Sequence, residues 1–380
     1  MKMRPSLPSA AELLARLVRC PSTGGPGGHG EAGMVALLAD FLEPWADDIA
    51  LTEPAPGRPN LVARFDGANR SRAYAFEAHT DTVGVAGMTI DPFAAEVRDG
   101  KLHGRGACDT KGPMTSMLLA LLRHVRDHGR PPVTWYFVAT CDEELGGLGA
   151  RHLASSGFRC DGMIVGEPTG LRPIAAHKGA VRHRVSVGGV AAHSSTPELG
   201  ANAIHAAADF IVRMEEKIAG VSRPEFSGEP GPPTFSAGIV HGGDQVNRVP
   251  AEAVIETDLR LPPDFASETG ESWLEETARA VASQRPGIGF TFDRTQEYPA
   301  FELAAGSAFR EVIAPLAANG FGVPARYATD AGFFAAVGIP CVVFGPGDIA
   351  QAHTADEWIE LGQVEHAAEL LGEVIASARG

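Results

Sequence analysis

Four short apolar runs, each breaking off into acids or histidine, constrain this chain more than any other feature of its sequence. "NLVARFDG", "AYAFEAHTDTV", "VTWYFVATC" and "DGMIVGEP" have strand length and are rich in β-branched and aromatic residues. Between the second and third lies "KGPMTSMLLALLRHVRDHG", whose leucines and methionines recur at helical spacing. Buried strands alternating with a helix predict a mostly parallel sheet covered by helices. Upstream, "SAAELLARLVRC" starts behind a serine cap, and "HGEAGMVALLADFLEPW" repeats the helical pattern until Pro44 ends it.

After "AAHKGA" the texture changes. "VRHRVSVGG" and "AVIETDLRLP" alternate apolar with polar residues, as strands with one solvated face do. The amphipathic "GANAIHAAADFIVRMEEKIAG" lies between them, and "SWLEETARAVASQRP" precedes "GIGFTFDRT". From "FELAAGSAFREVIAPLAANG" the α/β texture resumes and closes with strand "IPCVVFGPG" and helix "GQVEHAAELLGEVIASARG". At 380 residues the chain exceeds what one core usually serves. The expected architecture is therefore α/β: residues 1–179 and 300–380 form the mostly parallel, helix-flanked sheet domain, and 180–299 form a smaller inserted α+β domain. The Gly/Pro-rich "SGEPGPPT" reads as a loop of that insert.

A formal net charge of -15 repels nucleic acid and anionic membrane surfaces, so neither is an expected partner. Some of that acid is better suited to holding cations. The five cysteines are scattered, odd in number and form no CxxC pair, which predicts free thiols in a reducing compartment, the cytoplasm. No signal-peptide apolar region is visible near the start, and no run approaches the ~20 apolar residues that span a bilayer.

The chemistry gathers where the apolar runs end, and in open parallel sheets ligands bind beyond the carboxyl ends of the strands. His79 and Asp81 stand two apart, on one side of an extended backbone. Asp109 lies in the Gly-rich "GRGACDTKG", Asp142, Glu143 and Glu144 are consecutive, Glu167 precedes Pro168, and His353 follows the last strand and a loop. Carboxylates converging in one crevice repel one another unless a cation neutralises them. Imidazole with carboxylate suits zinc, cobalt or manganese. Two histidines and several acids suffice for two ions about 3.5–4 Å apart, an arrangement used for hydrolysis. Neither HExxH, GxSxG nor a P-loop is present, and the acids beside Cys108 and Cys141 would raise a thiol pKa, which disfavours cysteine catalysis.

Together "EAHTDTV", "GRGACDTKG", "TCDEELGG", "VGEPTGLRPIAAHKG", "GGVAAHSSTPELGANAI", "HGGDQVNRVP" and "QAHTADEW" resemble the co-catalytic zinc metallopeptidase family of acetylornithine deacetylase, succinyl-diaminopimelate desuccinylase, aminoacylase and glutamate carboxypeptidase. The resemblance runs in order along nearly the whole chain. It implies two zinc ions, replaceable by cobalt, with Asp109 bridging, His79 and Glu167 completing one site, and Glu144 and His353 the other. Glu143 would be the general base and Asp81 the partner of the far ring nitrogen of His79, with Asp142 orienting the turn. The insert would act as a lid and dimerisation domain whose His193 reaches the second subunit's site to stabilise the oxyanion. Asn247 and Arg260 would hold substrate, Lys178 would meet a carboxylate, and Gly345 to Gly347 would shape the pocket wall.

Within the family, "GEPTGLRPIAAHKG", "HGGDQVNRV" and "GPGDIAQAH" are most similar to the acetylornithine deacetylases. The expected substrate is thus an N-acetyl amino acid, N2-acetyl-L-ornithine first, cleaved by a homodimer to ornithine and acetate in arginine biosynthesis. A desuccinylase or glutamate-type carboxypeptidase is the alternative on the same fold. A non-catalytic metal- or ligand-binding protein is the alternative of another class, disfavoured because a binder has no use for Glu143.

Overall fold

The run that ends in His79 becomes the longest strand of a six-stranded sheet, Asn69–His79. The computed structural model describes residues 5–221 and 229–379; Ser227 and Gly228 of the Gly/Pro-rich loop lie outside the described residues. The chain divides into two units, one of Met1–Ala175, Glu302–Val323 and Thr329–Gly380, the other of Ala176–Phe301 and Pro324–Ala328.

In the first unit the sheet order is Asp48–Ala55, Arg58–Phe65, Val133–Thr140, Asn69–His79, Gly162–Val165, Cys341–Val343. The last four strands are mutually parallel, and the first two add to them antiparallel. Trp135, Phe137, Phe76 and Phe65 are fully buried in this sheet. The helix Lys111–His128 buries nearly its whole circumference, because Leu361–Ser377 and Ala10–Val18 pack against it as well as the sheet. Ala10–Val18 begins with the expected serine cap, as a full capping box between Ser9 and Glu12.

The register of the parallel strands positions the chemistry. His79 lies opposite Thr140, and Glu77 lies opposite Val138 on one side and Val165 on the other. The three carboxyl ends are therefore flush. Whatever follows Thr140 and Val165 emerges at the level of His79.

The second unit contains a four-stranded antiparallel sheet in the order Thr234–Gly242, Glu252–Leu261, Gly179–Gly188, Gly289–Tyr298. Its alternating strands turn Val185, Val187, Ala253 and Ile255 onto helices Ala203–Val221 and Ser267–Gln284, around buried Phe210 and Leu274. Among the described residues no helix is long and apolar enough to cross a membrane.

Several elements had no expectation behind them, helices Leu148–Ser155 and Ala331–Ala336 and strand Thr234–Gly242 among them. Asp48–Ala55 is a sheet edge with a mostly exposed, irregular pattern, and Glu96–Arg98, Lys101–His103 and Trp358–Glu360 make a small sheet from pieces three residues long. Neither carries a period long enough to read.

Candidate metal centre

Strand Asn69–His79 ends on a histidine that is 2 % exposed. Its Nδ1 lies 3.0 Å from the main-chain oxygen of Asp81, an atom that only accepts, so Nδ1 carries the proton. In the ion-free protein Nε2 donates to Asp109 Oδ1 at 3.0 Å and lies 4.0 Å from Glu167 Oε1, and although burial acts downward, the bonds to Asp109 and Asp81 raise His79 well above the usual imidazole range. With the proton on Nδ1 fixed, loss of the Nε2 proton to a cation leaves the tautomer a metal ligand requires.

The other oxygen of Asp109, Oδ2, faces His353 Nε2 at 3.4 Å, and the same nitrogen lies 3.0 Å from Glu144 Oε2. Two groups result, His79–Asp109–Glu167 and Asp109–Glu144–His353, each with ligand atoms within 4.8 Å of one another. Asp109 belongs to both, one oxygen turned to each histidine. The first group is buried, whereas His353 opens the second to solvent. His353 adopts a φ of 62°, in the left-handed region.

Electrostatics bear on whether ions fit. Burial pushes Glu167 well above the usual carboxylate range, with repulsion from Asp109 added and attraction to His79 opposing it. Glu143 is raised well above that range by burial, although His79 draws it back. Glu144 is raised by burial and by Asp109. Burial also acts upward on Asp109, but hydrogen bonds from His353 and His79 outweigh it and hold this carboxyl low. Those bonds to Asp109 and Glu144 push His353 up to about 10. In the ion-free protein, protons thus compensate the crowded acids. The donor set of imidazole and carboxylate, with Nε2 of His79 aimed into it, fits a pair of divalent cations that would displace those protons.

The "CDEELGG" turn is fixed from several sides. Asp81 accepts the Glu143 N–H at Oδ1 (3.0 Å) and the Glu144 N–H at Oδ2 (3.1 Å), while its Oδ1 lies 3.5 Å from His79 Nδ1. One carboxylate therefore ties the two consecutive glutamates to the strand that delivers His79. Asp142 has a φ of 69°, and its carbonyl accepts the N–H groups of Gly146 (3.0 Å) and Gly147 (2.7 Å). Its carboxylate pairs with Arg58, which also pairs with the fully buried Glu31. Glu31 in turn accepts the Asp142 N–H at 3.2 Å.

The Asp109 loop has its own anchor. Glu357, fully buried, accepts the N–H groups of Gly106, Cys108 and Asp109 and a hydrogen bond from Arg105 Nη1 at 2.7 Å. Gly345 and Gly347 are explained by close approach: an added Cβ would stand 2.5 Å from the main-chain oxygen of Glu167 at the first and 2.7 Å from Cys108 Sγ at the second. Cys108 and Cys141 are buried, and burial raises both thiols, so neither is a ready nucleophile.

Glu31, Arg58, Arg105 and Glu357 had no place among the candidates. Arg105 and Glu357 do sit inside "GRGACDTKG" and "QAHTADEW", where a charged residue flanked by ligands was the available signal. Glu31 and Arg58 lie in stretches without one.

The remaining candidates belong to the second unit. His193 is exposed, and the Ser195 N–H donates to its Nδ1 at 3.1 Å, which leaves the proton of the neutral ring on Nε2. Asn247 stands exposed in the turn before Arg248–Val249, its carbonyl accepting the Ser194 N–H at 3.0 Å. Arg260 donates from Nε and Nη2 to Asp258 at 2.7 and 3.0 Å. Lys178 is 3 % exposed, and its Nζ donates to the Pro232 carbonyl.

Comparison with known proteins extends these local findings. Residues 75–377 match the description of peptidase family M20/M25/M40. An acetylornithine deacetylase of Proteus mirabilis is 32% identical over 386 residues, covering 98% of this chain and 97% of that protein. A tripeptidase of Staphylococcus aureus superposes with a TM-score of 0.78 at 23% identity, covering 97% of each chain. The Bacillus subtilis YxeP protein, described as a dinuclear metal-binding peptidase of the M20 family, superposes with a TM-score of 0.71 at 16% identity over 97% of this chain and 96% of its own.

Proposed function

From the premise that the chain belongs to peptidase family M20/M25/M40, we propose that this metal-dependent amidohydrolase removes the acetyl group of N2-acetyl-L-ornithine, releasing ornithine and acetate. The observation that carries the substrate reading is the 32% identity to an acetylornithine deacetylase over 98% of the chain. Arginine biosynthesis is the corresponding pathway. The five cysteines, all free, suit a reducing, cytoplasmic setting.

In this reading His79, Asp109 and Glu167 hold one zinc ion, and Asp109, Glu144 and His353 the other, with cobalt able to take their place. When bound, the ions polarise the amide carbonyl and acidify water. Glu143 takes the proton from the attacking water and passes it to the departing amine, so that one O–H bond is exchanged for one N–H bond. Burial, which raises its pKa in the ion-free protein, strengthens it as a proton acceptor. Asp81 keeps Glu143 and Glu144 in register by holding both N–H groups. Glu144 is thereby committed as a ligand while its neighbour stays available for proton transfer.

His193, with its ring proton on Nε2, is suited to donate to the oxyanion at a second copy's site in a homodimer. The edge strand Thr234–Gly242, with Ile239 and Val240 about half exposed, offers a surface for that pairing. Arg260 and Lys178 supply cations for the substrate carboxylate, Asn247 a polar contact, and Gly347 a section of wall. Side-by-side kinetics on N-acetylornithine, N-succinyl-diaminopimelate and a peptide ending in glutamate test the assignment. The highest kcat/KM is expected for N-acetylornithine, and preference for either other substrate would overturn it.

A further inference from the structure

Arg105 and Glu357 form a salt bridge in the first unit, 3 % and 0 % exposed, yet neither contributes an atom to the two ligand groups. Every acceptor position of Glu357 is used. Oε1 takes the N–H groups of Cys108 (2.9 Å) and Asp109 (3.0 Å), and Oε2 takes the Gly106 N–H (3.0 Å) and Arg105 Nη1 (2.7 Å). The main-chain oxygen of Glu357 accepts the Gly104 N–H at 3.0 Å. Arg105 extends the same network, donating from Nε to the Gly84 carbonyl at 3.1 Å and from Nη2 to the Thr354 carbonyl at 3.4 Å.

Three ligand-bearing segments thus meet on one ion pair: the loop leaving His79 and Asp81, the turn carrying Asp109, and the loop carrying His353. A plain structural salt bridge would need only its two charges. Here the acid has one partner that is charged and three that are consecutive or nearly consecutive amides leading to Asp109, the residue shared by both groups.

Resting on the reading of these residues as metal ligands, the geometry points to Arg105 and Glu357 as a positioning pair that sets the metal affinity of the centre, by holding the Asp109 turn and the His353 loop in a single register. Glu357→Gln keeps the size but places an NH2 group among four donors, so at least two bonds to the turn or to Arg105 are lost. Arg105→Lys keeps a charge for Glu357 but cannot reach Gly84, Thr354 and Glu357 together.

The test titrates the ion-free full-length variants with Co2+ alone, following the visible absorption of bound cobalt, with near-UV circular dichroism at the same temperature to confirm folding. Leu371→Ala, which opens a cavity in the buried face of helix Leu361–Ser377, serves as a destabilised reference. Glu357→Gln should bind Co2+ about 10–100-fold more weakly than the unaltered chain, as loss of an outer partner of a metal ligand does. Arg105→Lys should fall between, and Leu371→Ala should bind as the unaltered chain does. In a separate assay both charge variants should have a lowered kcat at limiting Co2+ that returns at saturating Co2+ with KM unchanged. The inference is overturned if Glu357→Gln keeps full affinity, if Leu371→Ala loses as much, or if neither charge variant folds, since the pair would then serve folding. Because Co2+ binding is read without substrate, none of these outcomes touches the deacetylase reading. Failure of the unaltered chain to bind Co2+ would instead remove the ligand assignment on which both rest.

Discussion

Glu143 and Glu144 are adjacent in sequence and differ in surroundings. Glu144 touches His353, whereas Glu143 lies where burial and the field of His79 compete. If Glu143 moves the proton, Glu143→Gln should bind two equivalents of metal, keep its melting temperature within a few degrees, and lose roughly 10²–10⁴ in kcat. Metal analysis alongside steady-state kinetics checks this, and an unchanged kcat would end the assignment. The same crowding carries a pH signature in the ion-free protein. Glu143 and Glu167 have pKa values raised on folding, and their native forms hold protons that the unfolded chain releases above about pH 4.3. His353, raised to about 10, contributes stability that is whole below about pH 6.5 and is lost as pH rises through 10. Both effects have one sign. The melting temperature of the chelated protein should therefore fall from about pH 5 to pH 8, above which Lys111, lowered by burial to about 8, opposes the loss from His353, and metal should flatten the curve. A chelated protein that grows more stable across this window would contradict the electrostatics described.

At the level of elements, the strands that carry the centre were readable because each is an uninterrupted apolar run, and their carboxyl ends could be read because each run stops at His79, Thr140 or Val165. What could not be read is what holds the turns. Arg58 and Glu31 meet Asp142 across gaps of 84 and 111 residues, and no local period links them. Glu357 reaches Asp109 across 248. Such anchors exist only after the sheet has brought distant loops to one edge. They are also expensive to break: Arg58→Ala would strand the fully buried Glu31, at a cost of about 3–5 kcal/mol. Urea denaturation should show that loss, and a change under 1 kcal/mol would mean that water compensates Glu31. Gly347→Ala, with φ at 90° and Cys108 Sγ 2.7 Å from the new Cβ, should cost about 1–3 kcal/mol by the same measurement.

For the whole molecule, texture was a sufficient guide to the change from parallel to antiparallel architecture, since a doubly covered sheet and a half-solvated sheet demand different hydrophobic patterns. The small sheet of Glu96–Arg98, Lys101–His103 and Trp358–Glu360 escaped because it joins fragments too short to show one. The homodimer proposed through the second unit predicts that an inactive Glu143→Gln chain and an inactive His193→Ala chain complement each other. Mixing them should restore up to about a quarter to a half of wild-type activity if His193 acts across the interface, whereas a monomer in sedimentation, or no recovery on mixing, would remove that role.

Whether the chain is a two-ion amidohydrolase that cleaves an N-acetyl amino acid is tested by a zinc titration of exhaustively chelated protein with N-acetylornithine as substrate. Ornithine release should be absent without metal and should rise to its plateau by two equivalents per chain. Undiminished release from the metal-free protein, or none at any zinc concentration, would rule out a two-ion deacetylase.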